Sequence, residues 1–409
     1  MARAPRAWTS AIVLAAAAVS PGAQAAGDDD ATVNAALIAA LPPDGATDLV
    51  VIAQPSAPDA PRAWGATRVA ASPAAIKDVL LDPAHYRALI PALIKSELDW
   101  SKGSAPIVTW ELEVPLFNLS GRMALHNRPD GVTIELFDGD FAPGRLSFTV
   151  APDARGGATL VVDGVLDVKR SSWLLRRIIK RSPVGEPATL TAAIYVALRA
   201  VALRAEHPGS GDAWRGRASA AAPAGWLPDP RPLAGDLLAP LRARGVVALV
   251  ARTPGDHLAG VAAAITLNAP APAVAATLRA PTSWRAFPGW EKVQDRPGPN
   301  GPGAEVRDNL PLVDFDASWT AQPGPAARWV ATAGATRGAR LGWDVYSSAA
   351  STGGAAGAIA ALTLYPRLET TGSIARRFIA AEPLLEEGLA LALAFVDAAG
   401  VKAALVAPR

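Results

Sequence analysis

The chain has 409 residues, 39 Lys and Arg against 37 Asp and Glu, and a formal net charge of +2, so no bulk charge points to nucleic acid as a partner. It contains no cysteine, which excludes a disulfide framework, a thiolate metal site and a lipid-modified N-terminal cysteine. With 50% apolar residues, its stability has to come from buried surface.

The chain begins with Arg3 and Arg6, an apolar run from Trp8 to about Val19, and Ala23-Gln24-Ala25. A charged start, a short apolar run and a small-residue site make residues 1–25 a secretory signal, and the run is too short to cross a bilayer. Cleavage is expected after Ala25, and the mature chain is expected to be periplasmic or secreted. No later segment reads as long and apolar enough for a membrane helix. A short helix is expected at 36–41, a strand at VVIA from Val50, and a further strand at 66–71.

The stretch ASPAAIKDVLLDPAHYRALIPAL, residues 71–93, places Ala75, Ile76, Val79 and Leu80 at helical spacing, and Pro83 ends that helix because proline cannot continue the hydrogen-bond ladder. Several strands follow. Alternation puts Phe117, Leu119 and Met123 on one face of the first, and Leu146, Phe148 and Val150 on one face of another, as in an antiparallel sheet with one buried side. A long helix from Pro183 to about Glu206 closes the unit, with Leu190, Ile194 and Leu198 at helical spacing toward the strands.

Residues 207–244 are rich in proline, glycine and alanine and read as a connector, with a short apolar helix at 237–241. The earlier order then returns. APAPAVAATLRAPTSWRAFPGWEKV, residues 269–293, matches 71–93 by pairing Ile76 with Val274, Leu80 with Leu278, Pro83 with Pro281, Tyr86 with Trp284 and Arg87 with Arg285. VPLFNLSGRMAL at Val114 meets LPLVDFDASWTA at Leu310, RLSFTV at Arg145 meets RLGWDV at Arg340, and RRIIKRSPVGEP at Arg176 meets RRFIAAEPLLEE at Arg376. Four matches in one order, with little drift in spacing, indicate two homologous units at 48–206 and 245–405, the second ending in a long helix from Pro383. In it, Phe315, Trp319 and Trp343 take the places of strand residues on the buried face.

The order of strand, proline-alanine turn, short helix and D-P-x-x-Y, then strands and a long helix, resembles the START-like helix-grip (SRPBCC) superfamily, which includes lipid-transfer domains, coenzyme Q binding proteins and polyketide cyclases. The second copy departs from the pattern in carrying Ala280 where the first has Asp82. The resemblance implies an α+β chain of two tandem helix-grip domains, each a curved antiparallel sheet wrapped around its C-terminal helix. It implies a cavity for a lipid, sterol or quinone-like ligand in each. Phe117, Leu119, Met123, Phe148, Leu190, Ile194, Leu198, Phe315, Trp319 and Trp343 are the expected lining. An aromatase or cyclase acting on a polyketide, or a structural module with filled cavities, is the alternative.

Four histidines, none paired at metal-ligand spacing, and the lack of any nucleophile-elbow, phosphate-loop or dinucleotide motif leave no catalytic residue, metal site or cofactor to assign. Glu111 and Glu113 share a strand face opposite Trp110 and Leu112 and read as solvated. Arg122 would reach a ligand head group if the alternation slipped at Gly121, and otherwise points outward. Residues 169–181, KRSSWLLRRIIKR, mix six cations with Trp173 and aliphatic residues and contain no acid. Such a stretch suits transient contact with an anionic membrane through Trp173, Arg176, Arg177 and Lys180, or else caps the core with its cations solvated.

Overall fold

The computed structural model describes residues 21–43, 45–53, 61–90, 92–99, 105–114, 117–173, 176–177, 184–208, 228–253, 256–287, 290–296, 302–310, 313–323, 327–348, 357–367, 377, 379 and 384–406. Two halves repeat one order of elements. In the first, strands β1 (Thr47–Ala53) and β2 (Arg62–Val69) lead to the helix Pro73–Leu80, a turn of 3-10 helix at Pro83–His85 and a short helix Tyr86–Leu89. Strands β3 (Leu93–Asp99), β4 (Ile107–Val114), β5 (Phe117–Arg128), β6 (Gly131–Gly139), β7 (Phe141–Pro152) and β8 (Ala158–Asp167) follow, and then the long helix Gly185–Glu206. The second half runs through β9 (Gly245–Arg252), β10 (Leu258–Leu267), the helix Ala271–Arg279 and the 3-10 turn Pro281–Ala286. It continues with β11 (Trp290–Asp295), β12 (Gly303–Leu310), β13 (Val313–Ala321), β14 (Ala327–Gly334), β15 (Arg340–Ser348), β16 (Gly357–Tyr365) and the long helix Leu384–Val406.

Local chemistry explains the first helix pair. Ser72 caps Pro73–Leu80 by accepting the Ala75 N–H at 3.2 Å, and Pro73 fits the first turn, where no donor is needed. The helix buries Ile76 and Leu80; its counterpart buries Val274 and Leu278. The next residues repeat the match in hydrogen bonds. The Tyr86 hydroxyl donates to the Leu80 carbonyl, and the Trp284 indole N–H donates to the Leu278 carbonyl at 3.3 Å.

Within each half the strands run antiparallel, in the orders β2-β8-β7-β6-β5-β4-β3 and β10-β16-β15-β14-β13-β12-β11. The halves are not separate sheets. β1 lies antiparallel to β9, Val50 opposite Ala248, so that all 16 strands form one continuous sheet. The register carries a single apolar face through the join, from Phe148 to Val162, Gly65, Val50, Ala248, Ala263, Leu362 and Trp343. On the opposite face of the join, Leu49, Val51, Val247 and Leu249 are covered by Val33 and Leu37 of the helix Pro21–Ala40, by Leu41 just after it, and by Leu233, Leu238 and Leu241. The proline-rich stretch is therefore packed from Pro228 onward, while 209–227 lie outside the described residues.

The helix Gly185–Glu206 is long and apolar enough to cross a membrane, contrary to the sequence expectation that no such segment follows the leader. In this fold it is a core helix, with Leu190, Ile194, Tyr195 and Leu198 fully buried.

Candidate ligand-binding site

The interior of the first half is built on alternate positions of four neighbouring strands. Met123 opposes Val108 and Leu136, Leu125 opposes Ile134, and Val132 opposes Phe148. Leu119, Met123 and Phe148 are all buried on this face, as their alternation requires. Phe117 and Phe315 have a described backbone, but their side chains lie outside the described residues. In the second half Trp319, opposite Ala331, and Trp343, opposite Leu362, are buried on the corresponding face.

The long helix sits on β2 and β8. A Cβ added to Gly65 would lie 3.1 Å from Leu198, and one added to Gly164 would collide with Ile194. Glycine at these two sites lets the helix approach the strands closely. Ile194 and Leu198, expected to line the interior against the strands, are the helix residues at this contact.

Arg122 faces outward, as unbroken alternation along β5 requires. Its guanidinium lies over Phe137 at 5.2 Å, and Phe137 is 43% exposed, so both belong to the outer face. The register does slip between Arg122 and Met123, but the extra residue is Phe137 of β6, so the inward series Leu119, Gly121, Met123 of β5 is kept, and the bare Gly121 makes room for the Trp110 ring. Glu111 accepts from Asn118 at 2.7 Å, and His85 pairs with Asp82 at 2.6 Å, both in solvent.

The described cations of the basic stretch and its tryptophan are exposed, while Ser171 is buried. Trp173 is 65% exposed, Arg176 and Arg177 are exposed helical residues, and Lys180 lies outside the described residues. Two of its other cations are paired with acids from outside the stretch, Lys169 with Glu186 at 3.0 Å and Arg170 with Asp167 at 3.3 Å.

Two groups of polar residues escaped the sequence reading. One lies at the join. The buried Tyr195 hydroxyl stands 2.8 Å from Asp48 and 2.9 Å from Glu387, Arg252 pairs with Asp48, and Arg199 pairs with Asp256 at 2.9 Å. A hydroxyl has one proton, so one of its two carboxyl contacts must come from a protonated acid. Burial raises the Glu387 pKa, against the pull of Arg199 and Arg252. Tyr195 and Arg199, one helical turn apart on an otherwise apolar face, were a legible signal; the partners of Tyr195, 147 and 192 residues away, and that of Arg199, 57 residues away, were not.

The other group is in the second half. Asp397 is buried on the long helix, with the Trp290 indole N–H as its hydrogen-bond donor. Burial pushes its pKa up to about 8, and the Trp290 bond restrains the rise. Trp290 belongs to a cluster with Trp284, Phe287, Trp329 and Trp343. Among the described residues no group of His, Asp and Glu has the spacing of a metal site.

No protein-family model and no curated protein matches the chain. Solved structures do. The di-domain ARO/CYC StfQ from the steffimycin biosynthetic pathway is 11% identical, with 81% of this chain and 97% of that chain covered and a TM-score of 0.29. A START superfamily protein from Mycobacterium smegmatis is 19% identical over 36% of this chain and 97% of its own, with a TM-score of 0.28. A STAR-related lipid transfer protein from Xanthomonas axonopodis is 17% identical over 40% of this chain and 95% of its own, with a TM-score of 0.27. The same strand order and the same placement of a long closing helix occur twice along the chain, as the sequence resemblance to START-like helix-grip proteins implies.

Proposed function

We propose that each half holds a hydrophobic small molecule or lipid between its sheet and its long helix, and that the protein carries this ligand to or from a membrane. In this reading each sheet curves about its helix. The observation that carries it is the apolar inner face of β4 to β7: Val108, Leu119, Met123, Leu136 and Phe148 are buried on the strands that continue beyond β2 and β8, where the helix is seated. Moving an apolar ligand from water to such a surface is favourable by about 25 cal/mol per Å².

Contact with the bilayer is assigned to Trp173, Arg176 and Arg177. An exposed indole suits the head-group boundary, and each cation beside an anionic surface contributes about 1 kcal/mol. Export belongs to the same reading: removal of residues 1–25 leaves Val33, Leu37 and Leu41 to cover the join, and the mature chain works in the periplasm or outside the cell. N-terminal sequencing should find Ala26 first; a product that keeps Met1 contradicts export.

Transfer of a fluorescent phospholipid between anionic vesicles tests the whole reading. Arg176→Glu with Arg177→Glu should slow transfer by roughly tenfold or more, and raised salt should act in the same direction. Binding of the same lipid in detergent should not change. Equal transfer by the variant removes the membrane contact, and failure of the parent to bind lipid removes the ligand-binding reading.

A further inference from the structure

The join between the halves has a two-fold relation of its own. The pairings Leu49 with Ala66 and Val50 with Gly65 in the first half recur as Val247 with Ala264 and Ala248 with Ala263 in the second, so Val50 and Ala248 are counterparts. They also face each other across the join, with Leu49 opposite Leu249 and Val51 opposite Val247. β1 and β9 therefore meet as two copies of one strand meet in an isologous dimer. Aliphatic on both sides, this strand pair does not by itself distinguish the unlike half from a second copy of the same half.

The buried polar network breaks the symmetry. Its first-half members are Asp48, Tyr195 and Arg199, its second-half members are Arg252, Asp256 and Glu387, and three of its contacts cross the join. Tyr195 bonds Glu387 at 2.9 Å, Arg252 pairs with Asp48, and Arg199 pairs with Asp256 at 2.9 Å. By the strand pairing above, and by the match of RRIIKRSPVGEP with RRFIAAEPLLEE, the counterparts of Asp48, Tyr195, Arg199 and Glu387 are Val246, Phe395, Ala399 and Pro187. All four are apolar, so these residues form the network on one side of the two-fold and not on the other. Two first halves placed together would set Pro187 where Glu387 receives Tyr195, and would leave Asp48 without Arg252 and Arg199 without Asp256. Two second halves would set Val246 and Phe395 against Arg252 and Glu387. The two-fold repeats each fault, and removing one partner of a buried polar contact is strongly unfavourable.

We propose that the network makes the join an interface selective for the unlike half: aliphatic packing holds the strands together, and the network excludes a second copy of the same half. Halves so alike elsewhere are otherwise exposed to pairing between chains during folding, a characteristic failure of repeated domains.

The test starts from the full chain with a protease site inserted between residues 209 and 227 and cut after folding. The cut chain is unfolded in urea, refolded and weighed by native mass spectrometry, which separates unlike pairs from the two kinds of like pair. Random pairing gives about half unlike pairs, and the parent should give about nine tenths or more. Replacing the buried members together with apolar residues, as Asp48→Val, Tyr195→Phe, Arg199→Ala, Arg252→Leu and Glu387→Leu, should bring the share down toward the random value. A parent near the random share, a parent whose halves do not pair again, or a variant as selective as the parent overturns the proposal. Should the combined variant fail to refold, Tyr195→Phe alone keeps the ring and should raise the share of like pairs about threefold; an unchanged share overturns the proposal.

Discussion

Asp397 shows how one residue can be invisible in a sequence and decisive in a fold. It is the single acid of an apolar stretch of helix, and nothing in its neighbours by sequence places it beside Trp290. Its folded pKa of about 8 exceeds the ordinary value of 3.8, so the folded chain holds a proton that the unfolded chain has released. Stability from this group is complete below about pH 4 and is lost as pH rises toward 8, a difference on the order of 5 kcal/mol for a shift of this size. Asp397→Asn removes the titration. Urea unfolding at a series of pH values should show the parent losing stability relative to the variant between pH 4 and pH 8; parallel profiles would contradict the buried carboxyl. Gly164→Ala tests packing at the same scale. The added methyl meets Ile194, and overpacking should cost about 1–3 kcal/mol in the same assay.

At the scale of elements, periodicity was a good guide to what forms and a poor guide to what it touches. Ile76 and Leu80, Met123 and Leu125, and Leu190 and Ile194 are buried as their spacing indicates. Spacing could not tell that Ile194 lies on a glycine, because Gly164 belongs to a different strand. The two long helices meet where Gly388 lies against Ala192, and the hydroxyl of Tyr195 ties that crossing to β1 through Asp48. Tyr195→Phe would keep the ring and take the hydroxyl from Glu387 and from Asp48, which keeps its pairing with Arg252. Losing these hydrogen bonds should cost about 2–3 kcal/mol of stability, since the cost of an unsatisfied buried group is added to the bond itself. A loss below 0.5 kcal/mol by thermal and urea unfolding would mean the network contributes little.

At the scale of the whole molecule, the sequence reads as two units that ought to fold alone, and the continuous sheet argues otherwise. Cutting before Val246 would expose the edge of β9, uncover the apolar back of the join and leave Glu387 and Arg252 without Asp48 and Tyr195. A fragment of residues 246–409 should therefore aggregate or unfold at low denaturant; a monomeric fragment as stable as the full chain would refute the shared core. The chain's own order determined the repeat, the alternating strands, the proline stops and the closing helices, because these depend on residues close in sequence. Only the tertiary structure decided that β1 meets β9, that Arg122 faces out, and that Asp397 sits at a ring of tryptophans. Each of those depends on strand register or on contacts between residues far apart along the chain, and hydrophobic periodicity carries no information about either.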